Sequence, residues 1–379
     1  MKIYIFGSSL VSAYWNGAAT YYRGIVRGLD ALGHEVHFCE PDIFDRQRHR
    51  DLAREPDWVR VRVYGDDGEL RELQAEAERA DLVVKCSGVG ARDRELEAWA
   101  ASLGNRPRTA FWDVDAAYTL DRLEGDADDP LRARIPAFDL VFTYGGGPPV
   151  VERYRALGAR RCVPIYNGLD PDVHRPVRPD PELACDLVFM GNRLPDRETR
   201  VERLFLAVAE RHPDRTFLLG GNGWETKRLP DNVRRLGHVP TGRHNALNCS
   251  ARLVLNVHRT AMAANGYSPA TRMFEAAGAG ACQITDAWEG IERFFEPGEE
   301  VLVARGGAEV GELLEAVDAE RAAAIGRAAR ARALRDHTYG RRARQVHETL
   351  RGLPAALAGG VRRRRDGREP GGRGRAGAP

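Results

Sequence analysis

The chain has 379 residues, more than one hydrophobic core ordinarily organises, which points to two domains. Hydrophobic residues make up 43% and charged residues 30%, a balance that excludes fibrous and low-complexity classes. A net charge of +2 calls for neither nucleic acid nor a charged membrane, and no apolar run approaches the roughly 20 residues of a membrane span.

Met1-Lys2 runs straight into Ile3–Phe6, too short for the apolar core of a leader peptide. Cys39, Cys86, Cys162, Cys185, Cys249 and Cys282 are scattered, and none forms a C-x-x-C pair. Most lie in or beside apolar runs, where a thiol acts as a small hydrophobe. The expectation is a cytoplasmic protein without disulfides, structural zinc or a bound cofactor.

Lys2–Phe6 reads as a strand ended by Gly7, followed by a loop carrying Asn16 and Gly17. Ala18, Tyr22, Ile25, Val26, Leu29 and Leu32 then repeat at helical spacing, with Gly33 as the stop. Val36–Cys39 is the next strand, so the chain opens as a β–loop–helix–β unit of a parallel sheet. Gly7-Ser-Ser-Leu-Val-Ser12 lacks the G-x-G-x-x-G of a dinucleotide fold, which places a redox enzyme last. Asp81–Cys86 and Thr109–Trp112 are strands with a helix over Glu95–Leu103 between them. Asp113 and Asp115 follow the second of these at once, where open α/β sheets bind ligands. Either could orient an acceptor hydroxyl or take its proton, while Asp115 could equally cap the helix that follows. Asp139–Thr143 precedes Tyr144-Gly145-Gly146-Gly147, a loop that lets backbone approach a neighbour closely or simply turns. After Val163–Tyr166, the stretch from Asn167 through Pro171, Pro176, Pro179 and Pro181 has no apolar period and marks a domain boundary.

The pattern restarts with a strand at Asp186–Met190, the loop Gly191-Asn192-Arg193, and an amphipathic helix over Glu198–Arg211. Strands follow at Thr216–Leu219, Asn232–Val239, Arg252–Val257, Ala281–Thr285 and Val301–Ala304. His258, at a strand end, has no acid beside it in sequence and reads as a backbone contact. The stretch from Asn265 to Asp286 carries the densest signal. Gly266 loosens a loop, and Ser268-Pro269 reads as N-cap and first helical residue. The opening of that helix is an anion site. Arg272 and Glu275, three apart, share a face there, suited either to a phosphate and a ribose diol or merely to an exposed ion pair. From Ala308 to Leu350 the chain is helical, broken at His337–Gly340. Gly352–Pro379 carries seven arginines against Asp366 and Glu369, and reads as a disordered tail, either merely solvated or in weak contact with an anionic surface.

Four segments, in order, carry a resemblance. Ile165-Tyr-Asn167-Gly168-Leu-Asp170 resembles the P-N-G-V-D junction of GT-B glycosyltransferases of family 4 and its relatives. Leu187–Arg193 looks like their G-R-L element, and Phe217–Gly223 with Val233–Val239 is similar to their G-x-G-P and F-L-G-x-V pair. Arg272–Gly280 with Ile284-Thr-Asp286 resembles E-A-x-A-x-G-x-P-V-I-x-T-D. The Arg-x-Phe-Glu form and Phe294–Val301 look most like the spore-maturation CgeB-type branch.

The resemblance implies an α/β GT-B fold of two facing Rossmann-like domains. The N-terminal acceptor domain would span 1–168 and the donor domain 169–335, with a helix at 336–351 that could cross back to the first domain. It implies metal-independent, retaining transfer of a sugar from a nucleoside-diphosphate sugar to an acceptor hydroxyl. Glu275 would hold the ribose and Arg193 the diphosphate. Gly191, Gly266, Tyr267, Ser268 and Thr271 would complete the nucleotide site, with Arg272 adding charge. Asp113, Asp115 and Arg193 would be the catalytic set, and Asn16, Gly17, Gly145 and Gly146 the acceptor side. Tyr267 stands where family 4 has a second glutamate, and Arg197 only approximates its lysine. A nucleotide-sugar epimerase on the same fold and a non-catalytic, coat-associated sugar binder are the alternatives. No nucleic-acid partner is expected.

Overall fold

The computed structural model describes residues 1–353 except 15, 53 and 105; the expected tail lies outside the described residues from 354 onward. Seven parallel strands form the first sheet: β1 (Lys2–Phe6), β2 (Glu35–Pro41), β3 (Arg60–Tyr64), β4 (Leu82–Cys86), β5 (Arg108–Asp113), β6 (Leu140–Thr143) and β7 (Cys162–Pro164). Their order is β3-β2-β1-β4-β5-β6-β7. A second parallel sheet contains β8 (Cys185–Met190), β9 (Phe217–Gly220), β10 (Val233–Gly237), β11 (Ala251–Asn256), β12 (Gln283–Asp286) and β13 (Leu302–Ala304). Its order is β10-β9-β8-β11-β12-β13. In each sheet the strand order reverses once, between β1 and β4 and between β8 and β11. Loops leaving the carboxyl ends of strands at such a reversal diverge and leave a crevice.

Alternation along the strands explains the layers. Ile3 and Ile5 of β1 face the helix Ala19–Asp30, whereas Tyr4 and Phe6 face Leu70 and Leu73 of the helix Asp67–Ala77. Both faces of the sheet are covered, so its strands read as continuous apolar runs. In the second sheet Leu187 and Phe189 pack on the helical run from Pro195 to Arg211, and Val188 on the opposite layer with Leu247 and Ala276. That run carries a π-helical turn at Glu202–Leu206.

The chain passes between the sheets twice, and the two passes lie side by side. The Leu169 N–H donates to the His337 carbonyl at 2.7 Å, and the Tyr339 N–H to the Leu169 carbonyl at 3.0 Å. A Cβ on Gly168 would stand 2.9 Å from the His337 carbonyl oxygen, so only glycine admits this approach. The last helix, Tyr339–Arg351, then packs on the helix Ala19–Asp30 of the first sheet. Gly24 and Gly28 form the seat: a Cβ on Gly24 would be 2.2 Å from the Tyr339 ring, and one on Gly28 2.5 Å from the Ala343 Cβ. His337 at the second pass donates through Nε2 to the Phe294 carbonyl at 2.9 Å and accepts from Arg342 at 2.9 Å. Burial, with Arg342 beside it, pushes its pKa down to about 3.

Candidate nucleotide site between the sheets

The stretch expected to start a helix at Ser268-Pro269 does so later. Ala270 is the N-cap and the helix runs Thr271–Ala279. A second, short helix, Thr260–Asn265, precedes it. The intervening residues span toward the first sheet instead of coiling. The Gly146 N–H donates to the Tyr267 carbonyl at 2.9 Å, and the Asn167 side-chain amide to the Pro269 carbonyl at 3.3 Å. The hydroxyls of Tyr144 and Thr271 bond at 2.9 Å, and a Cβ on Gly145 would stand 3.2 Å from the Ser268 hydroxyl. Gly145 and Gly146, expected on an acceptor side, thus seat the Gly266–Thr271 loop. Tyr267 is held at φ 44°, a left-handed conformation costly for a residue with a Cβ. Gly266, at φ 64°, packs with its Cα side against Glu289, where a Cβ would come within 2.8 Å.

His258 fixes the helix opening. Its Nδ1–H donates to Asp286 Oδ1 at 2.8 Å, and its Nε2 accepts the Ala270 N–H at 3.2 Å. Asp286 also pairs with Arg200. Burial opposes charge on Asp286, but His258 and Arg200 outweigh it and hold the carboxyl below its usual range. The acid partner that sequence proximity did not reveal lies 28 residues downstream, on the neighbouring strand β12. The helix Thr271–Ala279 has no side-chain cap; the Met273 N–H turns back to the Ala270 carbonyl at 3.0 Å, and the Thr271 and Arg272 N–H groups have no partner among the described residues, the arrangement of an anion site.

Two arginines flank that opening. A Cβ on Gly191 would meet Arg272 Nη1 at 2.6 Å and Arg197 Nη2 at 2.9 Å, so both guanidiniums lie against the backbone of the β8 loop. Arg272 donates to the Met190 carbonyl and Arg197 to the Asn192 carbonyl. Among the described residues neither makes a carboxylate salt bridge: Asp196 is held by Arg259 at 2.7 Å and Asp286 by Arg200 and His258, while Glu275, one turn along the helix, acts on Arg272 only at longer range. Burial, reinforced by Arg272, pushes the Arg197 pKa down to about 10; burial also lowers that of Arg272. Two adjacent cations without a salt-bridged carboxylate suit a multiply charged oxyanion. Glu275 extends from the same helix, its side chain 14% exposed and 3.7 Å from His174.

Arg193 is placed elsewhere. Its guanidinium is held by Glu198 at 2.7 Å, by Thr226 at 3.2 Å and by the Gly223 carbonyl at 3.4 Å. Lys227 shares Glu198 at 3.1 Å. The loop turns Arg193 outward, and Arg197, one helical turn on, points inward and is 6% exposed. The two aspartates also separate. Asp113 is fully buried and accepts from Ser87 at 2.8 Å, Thr119 at 2.9 Å, the Asp115 N–H at 3.0 Å and Tyr154 at 2.5 Å. Fully buried, with three donors on Oδ1 and one on Oδ2, it holds loops together. Asp115 precedes the helix Ala116–Gly125 without capping it, and its carboxylate accepts no hydrogen bond among the described residues. Asp115 is exposed; partial desolvation by its surroundings raises its pKa, with Asp113 and Asp196 adding to the rise against the pull of Arg259. Asn16 is buried and spends its side chain on Ser8, Ser9 and Ser12, fastening its own loop; Gly17 has open space around it. All six cysteines are free thiols.

Comparison with known proteins agrees with this architecture. Residues 197–348 match the family model described as glycosyl transferase-like. No curated protein matches the sequence. The fold resembles that of HepE from Anabaena, solved with UDP and glucose, at a TM-score of 0.64 and 16% identity, covering 93% of this chain and 100% of that one. It resembles sucrose-phosphate synthase of Thermosynechococcus elongatus at 0.65 and 14%, covering 93% and 99%. A glycosyltransferase of avilamycin A biosynthesis, AviGT4, superposes at 0.59 with 20% identity, covering 93% and 98%. Two facing parallel sheets, a returning last helix and these likenesses give the chain the GT-B fold, and its second half carries the sequence pattern of the glycosyl transferase-like family.

Proposed function

We propose that the protein is a glycosyltransferase that takes a nucleoside-diphosphate sugar, with UDP-sugars the first candidates, and passes the sugar to an acceptor hydroxyl. The observation that carries this is the pair Arg197 and Arg272, straddling Gly191 without a carboxylate partner at the uncapped opening of the helix Thr271–Ala279. The diphosphate lies there, with open helix N–H groups and two guanidiniums absorbing the charge that grows on the leaving group. Glu275 accepts hydrogen bonds from the ribose hydroxyls. His258 holds the loop in register through the Ala270 N–H, and Tyr144 ties the acceptor domain to Thr271. Asp115, the unpaired carboxylate at the end of β5, orients the acceptor hydroxyl and takes its proton, while the paired sheets exclude water. Retention of anomeric configuration belongs to the same reading, on the likeness of Arg272–Gly280 to the family 4 motif, and requires the acceptor oxygen to attack from the face that the diphosphate leaves, since in-line attack would invert.

A thermal-shift series with UDP, GDP, ADP, CMP and dTDP tests the donor. A nucleotide at a hundredfold its dissociation constant adds about 2.7 kcal/mol to the folded state and raises the melting temperature by several degrees. Incubation with the matching nucleotide sugar and an acceptor panel then reads transfer. The reading fails if none of the five nucleotides shifts the transition.

A further inference from the structure

A cavity of about 580 Å³ lies at the carboxyl ends of β2 and β3, apart from the nucleotide site. Asp42, Tyr64, Asp66, Asp67 and Arg92 contribute to its walls. Tyr64 is 4% exposed and lines the cavity, while its hydroxyl is buried behind the wall without a hydrogen-bond partner. Asp42 is exposed and its carboxylate has no partner among the described residues. Asp67 is held by Arg92, and Asp66 uses one oxygen to cap its own helix, leaving the other free. Beside the cavity Phe44 stands over Gly90 and is 61% exposed, with Arg46 against its ring. Phe44, Asp45 and Arg92 have φ of 56°, 55° and 56°; the one other non-glycine residue with positive φ among the described residues is Tyr267, in the nucleotide loop. Such strain persists where surrounding structure imposes it, and it concentrates at ligand sites.

We infer that this cavity binds a sugar ring of the acceptor several units away from the reacting hydroxyl, so that the acceptor is an oligosaccharide. The inference rests on the glycosyltransferase reading. Its chemistry is that of a polyol: carboxylate oxygens of Asp42 and Asp66 accept from ring hydroxyls, and the exposed ring of Phe44 beside the cavity offers an apolar face to C–H groups. Its place fits as well. Both the cavity and Asp115 lie on the carboxyl edge of one sheet, three to four strands apart, or about 15–20 Å at the usual strand spacing. That is a gap an extended saccharide bridges and a single sugar does not.

The test is ligand-observed saturation-transfer NMR on the full chain, with saturating UDP, against maltotetraose, cellotetraose, chitotetraose and mannotetraose, alongside the matching monosaccharides. At least one tetrasaccharide is expected to bind more tightly than its monosaccharide. Phe44→Ala and Asp42→Asn, both at exposed positions, are each expected to weaken it tenfold or more with UDP affinity unchanged. Failure of all four tetrasaccharides to bind, or equal binding by wild type and both variants, overturns the inference. Loss of UDP binding by the wild-type chain would instead strike the glycosyltransferase reading itself.

Discussion

Asp113 and Asp115 stand two residues apart and do different work. Asp113 receives four hydrogen bonds, one from each of three side-chain hydroxyls and one from a backbone N–H. Asp113→Asn removes its charge and turns an amide donor toward one of those partners, and is expected to cost about 1–3 kcal/mol in urea unfolding. Asp115→Asn should leave stability within about 0.5 kcal/mol and lower turnover a hundredfold or more. Its pKa is raised, and a base works only when ionised. The acid limb of the wild-type rate profile should therefore lie above the usual aspartate value of about 3.9, and Asp115→Asn should abolish that limb. An unchanged profile in the variant would remove Asp115 from the proton step. The sequence marked both carboxylates through their position after a strand, but the side-chain donors to Asp113 come from residues 6 to 41 positions away and are invisible in sequence. For the same reason adjacency to Gly191 favoured Arg193, although the helix period turns Arg197 inward. His258 was passed over because Asp286 meets it only through the pairing of β11 with β12.

At the scale of elements, the returning helix Tyr339–Arg351 is seated on glycine. Gly24→Val drives side-chain atoms into the Tyr339 ring and is expected to destabilise by about 1–3 kcal/mol or more, as overpacking does, read by thermal unfolding. His337, where the chain passes back, predicts a pH dependence. Its folded pKa of about 3 lies below the unfolded value of about 6.5, so between those values the unfolded chain binds more protons. Stability is full above about pH 6.5 and is lost as pH falls, by up to roughly 1.4 kcal/mol per unit from this group. His337→Gln should flatten the wild-type decline between pH 7 and 5 in urea titrations; equal slopes would contradict the assignment. Strands with continuous apolar runs, such as β1, β4 and β11, were legible within two residues of their bounds. β3 and the helix Asp67–Ala77 were not. Arg60-Val-Arg-Val-Tyr64 is an edge strand with a half-exposed face, and the helix behind it carries few large apolar residues. The late start of the helix Thr271–Ala279 has a similar origin: the Ser-Pro signal is local, whereas Gly146 and Asn167 pull that segment straight from the other sheet.

For the whole molecule, the account depends on one electrostatic fact. The described chain brings two sheets together and leaves two guanidiniums without a salt-bridged carboxylate where a helix opens between them. Interdomain contacts at Tyr144, Gly146 and Asn167 hold that opening against the first sheet, so a nucleotide bound there would be coupled to the arrangement of the two sheets. Isothermal titration of UDP into the wild-type chain and into Arg197→Ala, Arg272→Ala and Arg193→Ala tests this most directly. A charge-assisted hydrogen bond contributes about 1.5–3 kcal/mol, so Arg197→Ala and Arg272→Ala should each weaken UDP roughly tenfold to a hundredfold, while Arg193→Ala stays within about twofold. UDP affinity preserved in both inward variants, or lost only with Arg193, would contradict it.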